Sequence, residues 1–303
     1  MHILRLASAF AVTLALSAAA HADRLTDQPL VDVEWLQDTL GHESLVVIDI
    51  RAPSKDADFY ATGHIPGAVS APYGQFGWRA KQGGIVGQLP PIEDISARIG
   101  SLGVDNDDHV VIVPFGKNSS DFGAATRVYW TFKVLGHDNV SILDGGMEGW
   151  SASAGDLSAD AENPEAVTFV AAFRPELIAD ADEVAAAMAS GVALVDARPA
   201  DQHSGKSKSP VARVAGTIPG AVNIAQSEFY DSQNLSFVGK DKISGLVDKA
   251  GVGDDAEQIT FCNTGHWASV AWFGLSEVLG NKKTKMYDGS IADWTSDESR
   301  PVQ

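Results

Sequence analysis

The sequence is poor in three things, and each absence excludes a class. It has one cysteine, Cys262, in 303 residues, so no intrachain disulfide can form. Basic charge is scarce: 22 Lys and Arg stand against 40 Asp and Glu, a net of −18. Such a surface repels phosphate backbones and anionic headgroups, so neither nucleic acid nor a membrane surface is an expected partner. Long apolar runs are missing too. The stretch Leu6 to Leu16 is shorter than the ~20 residues that span a bilayer. One Cys and eight scattered His offer no paired ligand spacing, so no metal or other cofactor is expected.

What is present reads as an exported globular chain. Arg5, the apolar Leu6 to Leu16 and the small-residue end Ala20-His21-Ala22 form an export signal over 1–22, which predicts a periplasmic product cleaved after Ala22. Apolar residues at 45% and charged residues at 20% suit an ordinary folded protein long enough for two domains. A lone thiol sent to an oxidising compartment is either an inert buried hydrophobe or a working nucleophile.

The chain also repeats itself. Leu45-Val46-Val47-Ile48-Asp49-Ile50-Arg51 is echoed by Val192-Ala193-Leu194-Val195-Asp196-Ala197-Arg198, and Ile65-Pro66-Gly67-Ala68-Val69 by Ile218-Pro219-Gly220-Ala221-Val222. Val110 to Val113 matches Gln258 to Phe261, and Leu143-Asp144-Gly145-Gly146 with Trp150 matches Tyr287-Asp288-Gly289-Ser290 with Trp294. Preserved order means duplication. The expected organisation is a first domain at 23–155, a linker at 156–175 and a second domain at 176–303. Short apolar runs bounded by turns suit strands of a parallel sheet buried on both faces. Helices are expected over Ala124 to Lys133, Asp182 to Ala189 and Ala268 to Leu279. Each domain is therefore α/β, a mainly parallel sheet flanked by helices.

Sites in such sheets lie at the carboxyl ends of strands. Cys262 follows the run Ile259-Thr260-Phe261 and opens the loop Cys262-Asn263-Thr264-Gly265-His266-Trp267 ahead of a helix. Helix-terminal amides and the positive end of the dipole favour thiolate over thiol. Gly265 is expected to let the loop amides converge on the sulfur as an anion cradle.

This arrangement resembles the tandem-domain rhodaneses, which are sulfurtransferases. The likeness covers the duplicated module, the acid closing each first strand, the two Ile-Pro-Gly-Ala-Val segments, the Cys-x-x-Gly loop and the Asp-Gly followed by Trp. It implies that Cys262 takes sulfane sulfur from a small anionic donor, thiosulfate favoured over 3-mercaptopyruvate, as a persulfide. The sulfur then passes to cyanide, a thiol or a protein acceptor. The first copy has no cysteine after Val113, as in the family's inactive N-terminal domain, and its loop reads about four residues longer. By the same resemblance Arg198 is the expected donor-binding cation, with Lys206 beside it and Lys208 and Arg213 as helpers. His64 is placed to approach the interdomain site. Each has a structural alternative: an ion pair for Arg198, a solvated loop for the lysines, a turn histidine for His64. His266 and Trp267 depart from the Arg or Thr of many relatives, so they either meet substrate or shape the rim.

Two other functions compete. A phosphatase-like or arsenate-reductase-like loop needs arginine six positions after the nucleophile, and position 268 is Ala. A sulfur carrier would hold persulfide at Cys262 for a protein partner without turnover.

Overall fold

The structure is a computed structural model that describes residues 24–303; the expected leader over 1–22 lies outside the described residues. In the first half the elements are β1 (Leu30–Val31), α1 (Val33–Thr39), β2 (Leu45–Asp49), α2 (Phe59–Thr62), β3 (Val69–Ser70), β4 (Ala80–Gln82), β5 (Ile85–Gln88), α3 (Ile92–Gly100), β6 (His109–Val113), α4 (Ser119–Val134), β7 (Val140–Leu143) and α5 (Gly146–Ala152). The second half runs β8 (Ile178–Ala179), α6 (Ala181–Ser190), β9 (Ala193–Asp196), α7 (Ala200–His203), β10 (Val222–Asn223), β11 (Tyr230–Asp231) and β12 (Ser236–Phe237). It continues with α8 (Lys240–Ala250), β13 (Gln258–Phe261), α9 (His266–Trp272), β14 (Thr284–Tyr287) and α10 (Ser290–Trp294).

The duplication is explicit in the sheets. One orders its strands β1-β7-β6-β2-β3 and the other β8-β14-β13-β9-β10, every pairing parallel. Register follows: Val47 pairs with Val111 where Leu194 pairs with Ile259. The all-buried His-Val-Val-Ile-Val of β6 and Gln-Ile-Thr-Phe of β13 are central strands covered on both faces. Caps set the helices locally. Asp180 and Glu183 form a capping box at α6, and the Asn118 side chain accepts the N–H groups of Ser120 and Asp121 at α4.

Each half has a core of its own, and the largest buried cluster spans both. Helices α4 and α9, each following its domain's central strand, pack on one another: Tyr129 meets Phe273 edge-on with ring centroids 4.9 Å apart, and the Thr126 and Ser269 hydroxyls lie 2.8 Å apart. Gly123 permits the approach, since a Cβ there would stand 3.0 Å from His266 Nε2. The helix expected over Ala268 to Leu279 is not uniform. After Trp272 it widens into a π-helical stretch, Phe273–Val278, where Phe229 crowds Gly274 and the Leu279 N–H reaches back to Gly274 O at 2.8 Å. The segment between the domains is tied down along the first, with Val167 N–H on Gly100 O and Ala172 N–H on Leu135 O, both near 2.9 Å.

Candidate active site

Cys262 begins where β13 ends, 1% exposed, on the floor of a cavity of about 370 Å³ between the two halves. Three consecutive residues at the start of α10 fix its loop. The Ser290 hydroxyl accepts the N–H of Cys262 at 3.0 Å and of Gly265 at 3.2 Å, while the Cys262 and Asn263 carbonyls accept from Ile291 and Ala292 at 3.1 and 3.0 Å. Gly265 sits at φ +77°, and a Cβ there would strike Arg127 Nη1 and Asp288 Oδ1. The glycine is thus required twice, by conformation and by space. The expected cradle is corrected in one respect: two loop amides are committed to Ser290, which leaves those of Asn263, Thr264, His266 and Trp267 for an anion.

The other wall comes from the first domain. Tyr73, Arg79 and Ser120 line the cavity with Thr264, His266 and Trp267, and Ser209 and Val211 close it from the second-domain insertion. Both His266 and Trp267 are stitched across the interface to one residue, His266 Nε2 to Ser120 O at 2.8 Å and Trp267 Nε1 to Ser120 Oγ at 3.0 Å. A ring nitrogen facing a carbonyl must carry the proton, so His266 Nδ1 accepts the Tyr73 hydroxyl at 2.9 Å. Burial, aided by the Arg79 and Arg127 charges, pushes His266 down to about 4 and keeps it neutral. Arg79 Nη2 donates to Thr264 O at 2.6 Å and Nε to Gly87 O at 3.1 Å, with the guanidinium 6.0 Å from the Tyr73 ring centre. Behind the loop, the buried Arg127 pairs with Asp288, whose other oxygen accepts the Leu89 N–H at 2.6 Å.

Five sequence candidates do not reach this cavity. Arg198, 1% exposed, is bound to Asp196, with Nε to Oδ1 at 2.9 Å and Nη2 to Oδ2 at 2.7 Å, and also to Gly216 O. The first domain repeats this with Arg51, Asp49 and Gly63 O, although that half has no nucleophile, so the pair is structural. Lys206 is exposed, 3.6 Å from Asp201, and outside the lining. His64 is fully buried, stacked on Tyr60 at 3.8 Å between centroids, with its backbone bridged to Ser158. Lys208 and Arg213 are spent on the carbonyls of Ala212 and Thr295, each at 2.8 Å. Sequence reading missed Tyr73, Arg79 and Ser120. The usable signal was position: residues 71–88 follow β3, so they lie at the carboxyl end of the first sheet.

In the first domain the place of Cys262 is held by Pro114, whose carbonyl accepts the Met147 N–H at 2.9 Å. Helix α4 starts five residues after Pro114 and α9 four after Cys262, so that loop is one residue longer and not about four. Its amides are occupied: the Asp121 carboxylate accepts the N–H groups of Gly116 and Lys117 at 2.6 and 3.1 Å. The first domain thus fills its own cradle with an internal anion. Another hollow, about 500 Å³, is larger but lined by residues such as Gln258, Lys283 and Lys285, with no cysteine among them. Chemistry and not size selects the Cys262 cavity.

The Rhodanese-like domain family matches residues 32–153 and 180–297. A protein of Mycolicibacterium smegmatis named "Putative thiosulfate sulfurtransferase" is 33% identical over 284 residues, covering 90% of this chain and 97% of its own. A Haloferax volcanii protein of the same name is 30% identical over 288 residues, 90% of this chain and 96% of its own. Among solved structures, SseA from Escherichia coli, described with 3-mercaptopyruvate sulfotransferases, is 27% identical with a TM-score of 0.76, covering 87% of this chain and 98% of its own. An anaerobic ergothioneine biosynthesis enzyme from Chlorobium limicola shares the fold at 21% identity and a TM-score of 0.77, covering 91% of this chain and 70% of its own. With two matched domains, a cysteine loop in the second and relatives aligned end to end, the chain belongs to the rhodanese family as a tandem-domain sulfurtransferase.

Proposed function

We propose that Cys262 carries sulfane sulfur from a small anionic donor to a thiophilic acceptor. The observation behind this is that the chain's only thiol lines the interdomain cavity, in a loop held by Ser290 ahead of α9. With thiosulfate, the favoured donor, the thiolate attacks the outer sulfur. A bond forms from Sγ to that sulfur, the donor S–S bond breaks, and sulfite leaves with the electron pair. Cyanide then attacks the outer persulfide sulfur, thiocyanate leaves, and the thiolate is restored. A thiol acceptor follows the same course and departs as a persulfide. With 3-mercaptopyruvate the leaving group is pyruvate after protonation of the carbon. The names of the relatives above favour thiosulfate, and the likeness to SseA keeps 3-mercaptopyruvate in play.

Intact mass after donor treatment should rise by one sulfur atom and fall back on cyanide addition. Cys262→Ser should neither load nor turn over; sulfur transfer retained by that variant would overturn the mechanism. Loading followed by no release to cyanide or small thiols would instead favour a dedicated carrier. We also propose export with cleavage after Ala22, supported by the residues of 1–22, and a mature protein from the native compartment that retained Met1 would refute it.

A further inference from the structure

We propose that Arg79, supplied by the first domain, is the anion-binding residue that selects the sulfur donor. This rests on the sulfurtransferase reading of the Cys262 cavity and names the class of donor group it takes: a sulfonate or carboxylate. A protein of net charge −18 must reverse its own field locally to admit such an anion. Among the residues lining the cavity Arg79 is the one Lys or Arg, and His266 beside it is held neutral by burial. Arg127 is sealed behind the loop by Asp288, and Arg198 by Asp196.

The setting of Arg79 keeps its charge unspent. Both its hydrogen-bond partners, Gly87 O and Thr264 O, are neutral carbonyls, and it makes no ion pair among the described residues. Those bonds use Nε and Nη2, leaving the Nη1 edge of a half-buried guanidinium for a ligand. Two devices fix the orientation. Gly87 has φ +85°, and a Cβ there would collide with Arg79 Nη2 and approach Thr264 O to 2.9 Å, so only glycine lets the arginine cross to the second domain. The Tyr73 ring, anchored by its hydroxyl to His266, lies beside the guanidinium as a cation–π partner. Arg79 thereby reaches the backbone two residues beyond Cys262 and brings its charge into the cavity that Cys262 lines. The first domain is then part of the substrate site and not only its wall.

Alkylation of Cys262 reads this charge without any turnover. Iodoacetate is an anion and iodoacetamide its neutral analogue, so the ratio of their rates reports the local field. Arg79→Gln should lower that ratio about tenfold, a modest share of one charge acting within a partly screened site. Iodoacetamide should react at its former rate, Arg79→Lys should restore most of the ratio, and the exposed-lysine control Lys206→Gln should leave it unchanged. In steady state Arg79→Gln should raise the KM of whichever donor is used, thiosulfate or 3-mercaptopyruvate, more than it lowers kcat. An unchanged ratio in Arg79→Gln, or loss of reactivity toward both reagents that Arg79→Lys does not rescue, would overturn the assignment. A wild-type protein that shows the ratio yet never loads sulfur would instead sink the sulfurtransferase reading and leave the anion site standing.

Discussion

Ser290 holds Cys262 by its backbone: one hydroxyl oxygen accepts the N–H at 3.0 Å and donates its own proton to Tyr287 O at 2.9 Å. The same oxygen takes the Gly265 N–H, so both ends of the nucleophile loop hang from one atom. Ser290 itself sits at φ +52°, a conformation uncommon for a residue with a side chain. Its counterpart in the first domain is Gly146 at φ +54°, and there the cysteine's counterpart is Pro114, which has no N–H to satisfy. The hydroxyl is present where the donor is present. Ser290→Ala orphans two buried N–H groups and should lower stability by about 2 kcal/mol, at roughly 1–3 kcal/mol for each unsatisfied group less relaxation. It should also lower kcat/KM for sulfur transfer at least about tenfold through loss of loop alignment. Urea unfolding and initial rates check both, and a variant equal to wild type in rate would show that the loop does not depend on Ser290.

Gly265 gives a sharper test of the same loop. An alanine there must hold a left-handed backbone and also push its Cβ into Arg127 and Asp288, a buried ion pair joining the two domains. Gly265→Ala should lose essentially all transfer activity and lower the melting temperature. By contrast Gly191→Ala, also at positive φ but with nothing near its Cβ, should cost only the backbone strain of about 1–2 kcal/mol. Equal melting temperatures for the two would remove the clash from the argument.

The fold, the duplication and the Cys262 loop were legible because they are written in local order: a strand-sized apolar run, a Cys-x-x-Gly turn, then a helix. The partners across the interface were not, because Arg79, just before β4, and Ser120, in α4, meet the loop only where the two domains pack. The repeat itself could have corrected Arg198. Asp-x-Arg closes the first strand in both copies, and a cation that recurs in the copy without a nucleophile is serving the fold. His64 shows the opposite hazard, since Thr217 takes its place in the second copy and bonds Asp196, while His64 turns inward onto Tyr60. One site on a repeat does not inherit a role from the other.

Arg198 therefore belongs to stability. Burial raises the Asp196 carboxyl, but its bonds to His203 and Arg198 overcome that and hold it below the ordinary range. Arg198→Ala would leave this carboxylate buried without its main partner, at a cost of about 3–5 kcal/mol. The folded fraction should keep the wild-type KM for its donor. A variant of normal stability with a raised KM would return Arg198 to the donor site.

Stability should fall as the medium is acidified from neutrality, and the groups responsible can be named. Burial is the main cause holding His109, His137 and His266 at about 4, against about 6.5 when unfolded. Between those values the unfolded chain binds more protons, so stability rises with pH and is lost on descent, with a slope of up to about 1.4 kcal/mol per pH unit for each histidine. Asp144 opposes them. Burial lifts its carboxyl to about 6, so the folded state takes up its proton first and gains stability as pH drops. Asp108 and Asp121, whose carboxyls burial also raises, oppose in the same sense, so the loss from the three histidines is offset in part and a net decline of about 1–2 kcal/mol remains between pH 6.5 and 5. Asp144→Asn, which keeps an acceptor for the N–H groups of Phe237 and Gly145, removes its own opposing contribution and should steepen the decline. Urea unfolding at several pH values for both proteins decides it, since a flat profile, or a shallower one in Asp144→Asn, would contradict the neutral burial of these histidines.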